Sequence, residues 1–142
     1  MKILVSACLL GHNCKYNGGN NYSAAIESFC KGHEVIPVCP EQLGGLPTPR
    51  TPSERLEDKV ITADGQDVTR AFFNGAQAAL KIAMENHAEL AILQSRSPSC
   101  GSGRIYDGSF SGAQRDGWGV TAELLREDGI LIFGESRVKE LL

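Results

Sequence analysis

Four short apolar segments alternate with helical patterns along this chain, and this alternation constrains the fold more than any other feature. Segments of four to six residues that are rich in apolar and β-branched side chains predict strands. Strands that are separated by helices call for parallel pairing with right-handed crossovers. We therefore predict an α/β fold, a Rossmann-like three-layer sandwich with a mainly parallel sheet of about four strands. The predicted strands are residues 2–7, 34–38, 89–93 and 130–133.

The segments between these strands predict helices. Residues 69–86 carry the longest continuous apolar stripe at helical spacing. Residues 22–31 place apolar side chains on one helical face, and Gly32 follows as a stop signal. We predict two further short helices, at residues 120–127 and 136–142.

Two segments lack a strand or helix pattern of this kind. Residues 58–69 alternate around Asp64-Gly65, a tight-turn signal, and predict a small hairpin. Residues 95–119 are rich in glycine and serine, which predicts a long loop. Loops of this length inside a compact domain are usually functional.

Length and charge limit the classes of protein to which the chain can belong. At 142 residues it has the length of one domain, so we predict a single domain over residues 1–142. The net charge of −3 favours neither a nucleic-acid polymer nor an anionic membrane as partner. No segment approaches the roughly 20 apolar residues of a membrane span, and the N-terminal apolar run is too short for a signal peptide. We expect a cytoplasmic protein with reduced thiols.

Disulfide bonds do not explain the five cysteines of this chain. An odd number in a reducing compartment favours metal binding or catalysis. Cys8 and Cys39 lie at the ends of the first two predicted strands, and Cys100 lies just past the third. Cys14 follows Cys8 in a glycine-rich loop that can fold back. Ligands of parallel sheets bind outside the carboxyl ends of the strands, so we expect these thiols to meet there. Cys30 lies on the apolar side of its helix and is expected to be a core residue.

Three or four thiolates at one edge of a sheet suit either tetrahedral zinc or an iron–sulfur cluster. The C-x-x-C pairs of structural zinc sites are absent from the sequence, which favours the cluster. For Cys39 the residue pattern leaves two possibilities open, a ligand or a neighbour of the ligands.

Polar residues accompany the cysteines at the same edge. Glu41 follows Cys39-Pro40, and a carboxylate that is partly desolvated there would have a raised pKa suited to acid/base chemistry. The alternative is an exposed loop glutamate. The hydroxyl groups of Ser97 and Ser99 either donate to a bound substrate or shape the turn. Arg50 and Arg55, beyond a proline-rich stretch, are candidate partners for carboxylates near the site. Glu41 and Ser97 are the candidate catalytic residues.

A series of short motifs runs in order from residue 6 to the last predicted strand. Together these motifs resemble the signatures of the DUF523 family, whose characterised branch is thiouracil desulfurase. The resemblance covers essentially the whole chain. The motifs are Ser6-Ala7-Cys8-Leu9-Leu10-Gly11, Cys14-Lys15-Tyr16-Asn17-Gly18, Cys39-Pro40-Glu41, Gly44-Gly45-Leu46, Pro49-Arg50, Asp64-Gly65, Asp67-Val68-Thr69, Ser97-Pro98-Ser99-Cys100-Gly101, Ile105-Tyr106-Asp107-Gly108 and Gly117-Trp118-Gly119-Val120.

The resemblance implies a [4Fe–4S] cluster that is held by three cysteines and has one open iron. It implies that this iron binds the sulfur of a thiolated nucleobase such as thiouracil, or of a similar small thioamide, and that sulfur is removed without net redox change. Transferred motif by motif, the cluster ligands are Cys8, Cys14 and Cys100, with Cys39 as the alternative to Cys14. The acid/base carboxylate is Glu41.

The resemblance also implies that Ser97 contacts the substrate. One position departs from the family pattern, because Gln94 stands where a lysine is expected before the Ser-Arg-Ser-Pro segment. Two other functions remain open. One is a cluster- or metal-binding sensor or sulfur carrier without turnover, which would not need Glu41. The other is a zinc-dependent hydrolase or a structural zinc site.

Overall fold

The computed structural model describes the backbone of residues 1–141 and the side chains of residues 1–138. Within this range the chain forms eight strands, four α-helices and two 3₁₀ helices. The 3₁₀ helices are Ala7–Leu10 and Glu135–Leu141. In chain order the other elements are β1 (Lys2–Ser6), α1 (Ala24–Cys30), β2 (Glu34–Val38), α2 (Pro40–Leu43), β3 (Ser53–Leu56), β4 (Lys59–Thr62), α3 (Thr69–Glu85), β5 (Leu90–Leu93), β6 (Ser102–Tyr106), β7 (Gln114–Trp118), α4 (Val120–Glu127) and β8 (Leu131–Gly134).

The central sheet of the described chain has four parallel strands in the order β2-β1-β5-β8. These are the four strands that the sequence predicts, so the predicted sheet is confirmed. The chain starts in the middle of the sheet, moves outward to β2 and then crosses back to β5. The direction of winding therefore reverses between β1 and β5, which is where such sheets bind ligands.

Helices cover both faces of the sheet. Successive residues of β1 point to opposite faces, and those after Lys2 are all buried because both faces are covered. Ile3 packs with Ile26 of α1 and Val138 of the C-terminal 3₁₀ helix, whereas Leu4 packs with residues of α3 and α4 such as Leu125. The three-layer architecture is confirmed.

The small hairpin lies earlier in the chain than the sequence predicts. Strands β3 and β4 pair antiparallel around Glu57 and Asp58, where Glu57 has a φ of 55°. The predicted turn at Asp64-Gly65 does form, with the amide of Gly65 donating to Thr62. Beyond this turn the chain pairs briefly with β4, through the bridge between Ile61 and Asp67 and through the amide of Val68, which donates to Val60 directly before α3. A small hairpin is therefore present as predicted, but its strands are β3 and β4, so the predicted bounds of residues 58–69 are wrong.

The predicted long loop at residues 95–119 is wrong, because β6 and β7 form an antiparallel hairpin there. Glycine is depleted in strands because it has no side chain to pack. Here the side chain of Ile105 covers Gly117, where an added Cβ would lie 3.1 Å from Ile105 Cδ1. The hairpin is thus stabilised by a neighbour across the strand pair rather than by local propensity.

The ends of the elements differ slightly from the prediction. The terminal helix is a 3₁₀ helix that starts at Glu135, and Leu142 lies outside the described residues. A 3₁₀ helix follows β1 directly, and Pro40 begins α2, a position that suits proline because no amide donor is needed there. None of the described helices is long and apolar enough to span a membrane.

Candidate active site

A cavity of about 560 Å³ opens at the carboxyl edge of the sheet. Its walls come from the segments that follow β1, β2 and β5, and from both hairpins. Among the described residues, four cysteines line it, Cys8, Cys14, Cys39 and Cys100. The predicted convergence of these four side chains on one edge is what the structure shows. Cys30 lies instead in the core beneath α1, where the sequence places it.

The loop between Cys8 and Cys14 folds back as its glycines suggest. The amide of Gly11 donates to the backbone oxygen of Cys8, and the amide of His12 donates to that of Ala7. The Cys8 sulfur accepts a hydrogen bond from Asn21 Nδ2 at 3.7 Å. The Cys39 thiol donates to the backbone oxygen of Cys14, also at 3.7 Å. Cys14, which follows β1, is therefore in contact with Cys39 at the end of β2.

The proton distribution among these thiols follows from their contacts. Hydrogen bonds with the Cys14 thiol are the main reason why the pKa of Cys8 and that of Cys39 lie below the ordinary thiol value. The same two contacts, with Cys39 first, raise the pKa of Cys14. Burial raises the pKa of Cys100 to about 12. Metal ligation requires thiolates, so loading this site would release protons, chiefly from Cys14 and Cys100.

The donor set fits a cluster better than a single ion. Within the described part of the chain, no three side chains of His, Cys, Asp or Glu converge on one metal-ion position. A tetrahedral zinc site needs such convergence. An iron–sulfur cluster takes each thiolate on a different iron, so its ligands stand further apart. The four cysteines that line this cavity are the kind of donor set that such a cluster takes.

Glu41 is paired and largely buried, which rules out the exposed loop glutamate. The Nε of Arg50 donates to Glu41 Oε1 at 3.1 Å, and the Arg50 side chain is only 6% exposed. The Nη2 of Arg50 also donates to the backbone oxygen of Cys14 at 2.8 Å. Burial raises the pKa of Glu41, and Arg50 opposes that rise. Arg55, the other candidate partner, pairs with Glu123 instead.

The structure gives the two serines different environments. Ser99 is fully buried and bonds Thr121 at 2.8 Å, so it fastens the turn to α4. Ser97 lines the cavity, and its Oγ accepts from the amides of Ser99 and Cys100, both at 3.0 Å. These bonds use the oxygen of Ser97 as acceptor, so its hydroxyl proton is available to a molecule in the cavity. Ser97 thus both shapes the turn and offers a donor.

Gln94 lies at the switch point between β1 and β5. Its backbone amide donates to Ser6 Oγ at 3.1 Å, and its side chain lines the cavity. The Oε1 atom is buried and has no hydrogen-bond partner among the described residues. A buried acceptor without a hydrogen-bond partner destabilises the folded protein. A molecule in the cavity that donates a hydrogen bond to Oε1 would remove this cost.

Several residues that line the cavity cannot be identified from the sequence. Asn21, which donates to Cys8, and Glu54 and Phe110, which line the wall, carry no motif that marks them. Glu54 bonds the backbone of residues more than fifty positions further along the chain, and no local pattern encodes such a contact.

The similarity to known proteins extends over nearly the whole chain. A family model described as 2-thiouracil desulfurase matches residues 3–137. The chain is 43% identical over 150 residues to a Bacillus subtilis (strain 168) protein called "Uncharacterized protein YbbK", over 99% of each. A solved structure of "[4Fe-4S]-dependent thiouracil desulfidase TudS (DUF523Vcz)" is similar with a TM-score of 0.91 and 45% identity. That match covers 99% of this chain and 94% of the other.

Proposed function

The chain belongs to the 2-thiouracil desulfurase family, and from that premise we propose that it removes sulfur from a thiolated nucleobase such as thiouracil, or from a similar small thioamide, with a [4Fe–4S] cluster. The observation that carries the proposal is the cavity at the carboxyl edge, in which four cysteines accompany a buried carboxylate. The overall reaction exchanges the C=S of the base and water for C=O and hydrogen sulfide, with no net change in oxidation state.

We assign the cluster to Cys8, Cys14 and Cys100. Cys8 and Cys14 come from the segment after β1, and Cys100 comes from the segment after β5, so the three flank the switch point. Cys39 contacts Cys14 and stays the alternative ligand to it. When bound, the cluster would supply an open iron, a Lewis acid with affinity for a soft thione sulfur.

The remaining chemistry falls to side chains of this chain. Arg50 occupies Oε1 of Glu41, so Oε2 is the atom that takes a proton from water and returns it to the leaving sulfur. A carboxyl group whose pKa is raised by burial suits this exchange. The Ser97 hydroxyl donates to the ring of the base and orients it. The choice of enzyme over sensor rests on Glu41, since a sensor has no use for a buried acid.

Anaerobic reconstitution tests the cluster. We expect a broad visible absorption shoulder and about four iron and four sulfide per chain, followed by conversion of 2-thiouracil to uracil. Cys8→Ser, Cys14→Ser and Cys100→Ser should each lower the iron content. Cys30→Ala, which changes a core cysteine, is the matched control and should load fully. Loss of iron in Cys39→Ser, with full loading of Cys14→Ser, would move the third ligand to Cys39.

The acid/base role is tested separately. Glu41→Gln should keep its iron and lose turnover by roughly 10²- to 10⁴-fold. Unchanged turnover in this variant would contradict the role of Glu41. A cluster-loaded wild type without turnover would favour a sensor or sulfur carrier. A folded protein that takes up no iron, or takes up zinc alone, would overturn the proposed function.

A further inference from the structure

We propose that Phe110 forms an aromatic wall that stacks on the substrate ring, and that Glu54 is the positioning residue that holds it there. The inference rests on the proposed function and narrows its substrate class to planar heteroaromatic thioamides, as opposed to aliphatic ones. Phe110 and Glu54 both line the cavity, yet they belong to different hairpins.

The first observation is a bond between the two hairpins. Glu54 Oε1, on β3, accepts from the backbone amide of Gly108 at 3.0 Å and from that of Phe110 at 3.2 Å. Hydrogen bonds to a charged acceptor are stronger than those between neutral groups. Gly108 also lies close to β3, because an added Cβ would stand 3.1 Å from Leu56 Cβ. The carboxylate therefore fastens the β6–β7 turn to the β3–β4 hairpin.

The turn itself is ordered by its own side chains. Asp107 Oδ1 accepts from the amide of Ser109 at 2.9 Å and from its hydroxyl at 2.5 Å, and the amide of Asp107 donates to Ala113. A turn with this internal bonding moves as a unit. Its attachment through Glu54 consequently sets where Phe110 lies.

The second observation is the conformation of Phe110. Its φ of 57° falls in the left-handed region, which costs conformational free energy for a bulky side chain and none for glycine. The side chain is nevertheless 38% exposed at the cavity wall, so core packing does not account for it. A strained backbone that holds an exposed aromatic ring over a cavity indicates a role for that ring in binding.

The chemistry of a phenyl face defines what it selects. An aromatic ring stacks on any flat π-system and does not recognise the sulfur atom itself. It therefore binds a thiolated pyrimidine and the desulfurated product alike, while a small aliphatic thioamide gains little. Interactions that are equal in ground state and transition state change KM and leave kcat in place.

Kinetics with two substrates test the wall. Phe110→Leu should raise KM for 2-thiouracil about tenfold, within the range of base stacking on aromatic side chains, with kcat nearly unchanged. Thiourea, which has no ring, should show the same kcat/KM in wild type and variant. Phe110→Tyr restores an aromatic face and should restore KM. Uracil binding, measured by calorimetry, should weaken in parallel and gives a readout that is independent of turnover.

The positioning role has its own readouts. Glu54→Ala should raise KM as Phe110→Leu does, and the double variant should be no worse than either single variant. Glu54→Gln keeps an acceptor and should recover most of the affinity. Chymotrypsin should cut after Phe110 faster in Glu54→Ala. Lys59→Ala, an exposed change on the same hairpin, is the control and should match wild type in all these measurements.

The outcomes separate this inference from the proposed function. Active wild type with unchanged KM and unchanged uracil affinity in Phe110→Leu overturns the aromatic wall and leaves the desulfurase intact. Wild type that neither turns over nor binds a pyrimidine overturns both. Wild type that binds uracil through Phe110 but has no turnover supports the wall and overturns the enzyme.

Discussion

Adding one methyl group to Gly75 of α3 should disturb the candidate site without touching the cavity. In Gly75→Ala the new Cβ would lie 1.9 Å from the backbone oxygen of Pro40 and 3.2 Å from the amide nitrogen of Gly44. Helices α2 and α3 thus meet backbone against backbone. Pro40 immediately precedes Glu41, so any displacement of α2 moves the buried carboxyl group.

Two opposing effects determine the size of the change. Alanine is favoured over glycine inside a helix by about 1 kcal/mol. Against this, a contact of 1.9 Å to a backbone atom cannot be relieved by a rotamer change, and overpacking of this kind costs about 1–3 kcal/mol. Because the contact is between two backbones, we expect the upper end, which leaves a net loss of about 2 kcal/mol. For a domain of this size that corresponds to a fall in Tm of roughly 6 °C.

Urea unfolding followed by far-ultraviolet circular dichroism measures this difference. Asn74→Ala, one position earlier and exposed on the same helix, is the matched control and should gain a few tenths of a kcal/mol from helix propensity alone. Turnover of 2-thiouracil should fall in Gly75→Ala and hold in the control. If Gly75→Ala is as stable as Asn74→Ala, the close approach of α2 and α3 does not exist in solution.

Two further perturbations act on the site from its surroundings. Arg50→Gln leaves the buried Glu41 carboxylate without its cation and should cost about 3 kcal/mol in urea unfolding at neutral pH. The loss should shrink as pH falls. Burial raises the pKa of Glu41, removal of Arg50 raises it further, and protonation then removes the buried charge. The control Arg104→Gln changes an exposed arginine and should show no such loss. Gly119→Ala would place a Cβ 2.7 Å from the amide nitrogen of Cys100, so iron content after reconstitution should fall while the dichroism spectrum is retained. Full iron content in that variant would contradict the close contact.

The apolar strand segments of the sequence predict both the sheet and the position of the site. Ile3, Leu4 and Val5 are all fully buried, because a strand covered on both faces needs apolar residues at every position. Once such segments are recognised, the residues that follow them must lie at the carboxyl edge. Cys8 and Cys39 therefore could be placed without knowledge of a single contact.

The β6–β7 hairpin could not be predicted because its stabilising contacts are not local. Gly103 stands opposite Gly117, a pair that disfavours a ladder on propensity alone, and the side chain of Ile105 compensates. The sequence also does not show which of the two arginines pairs with Glu41. Arg50 lies within the proline-rich stretch and Arg55 follows it, but only the packed structure directs the first to Glu41 and the second to α4.

This division between sheet and hairpins suggests a division of function. The side chains assigned to chemistry, such as Cys8, Glu41 and Ser97, follow strands of the central sheet, whose positions are set by a core that tolerates little change. Glu54 and Phe110 lie on two-stranded hairpins outside that sheet. Substitutions on the hairpins can therefore alter the cavity wall without moving the thiols. We expect variants of the residues that follow the sheet strands to change kcat and iron content, and variants of the hairpin residues that line the cavity, such as Phe110, to change KM.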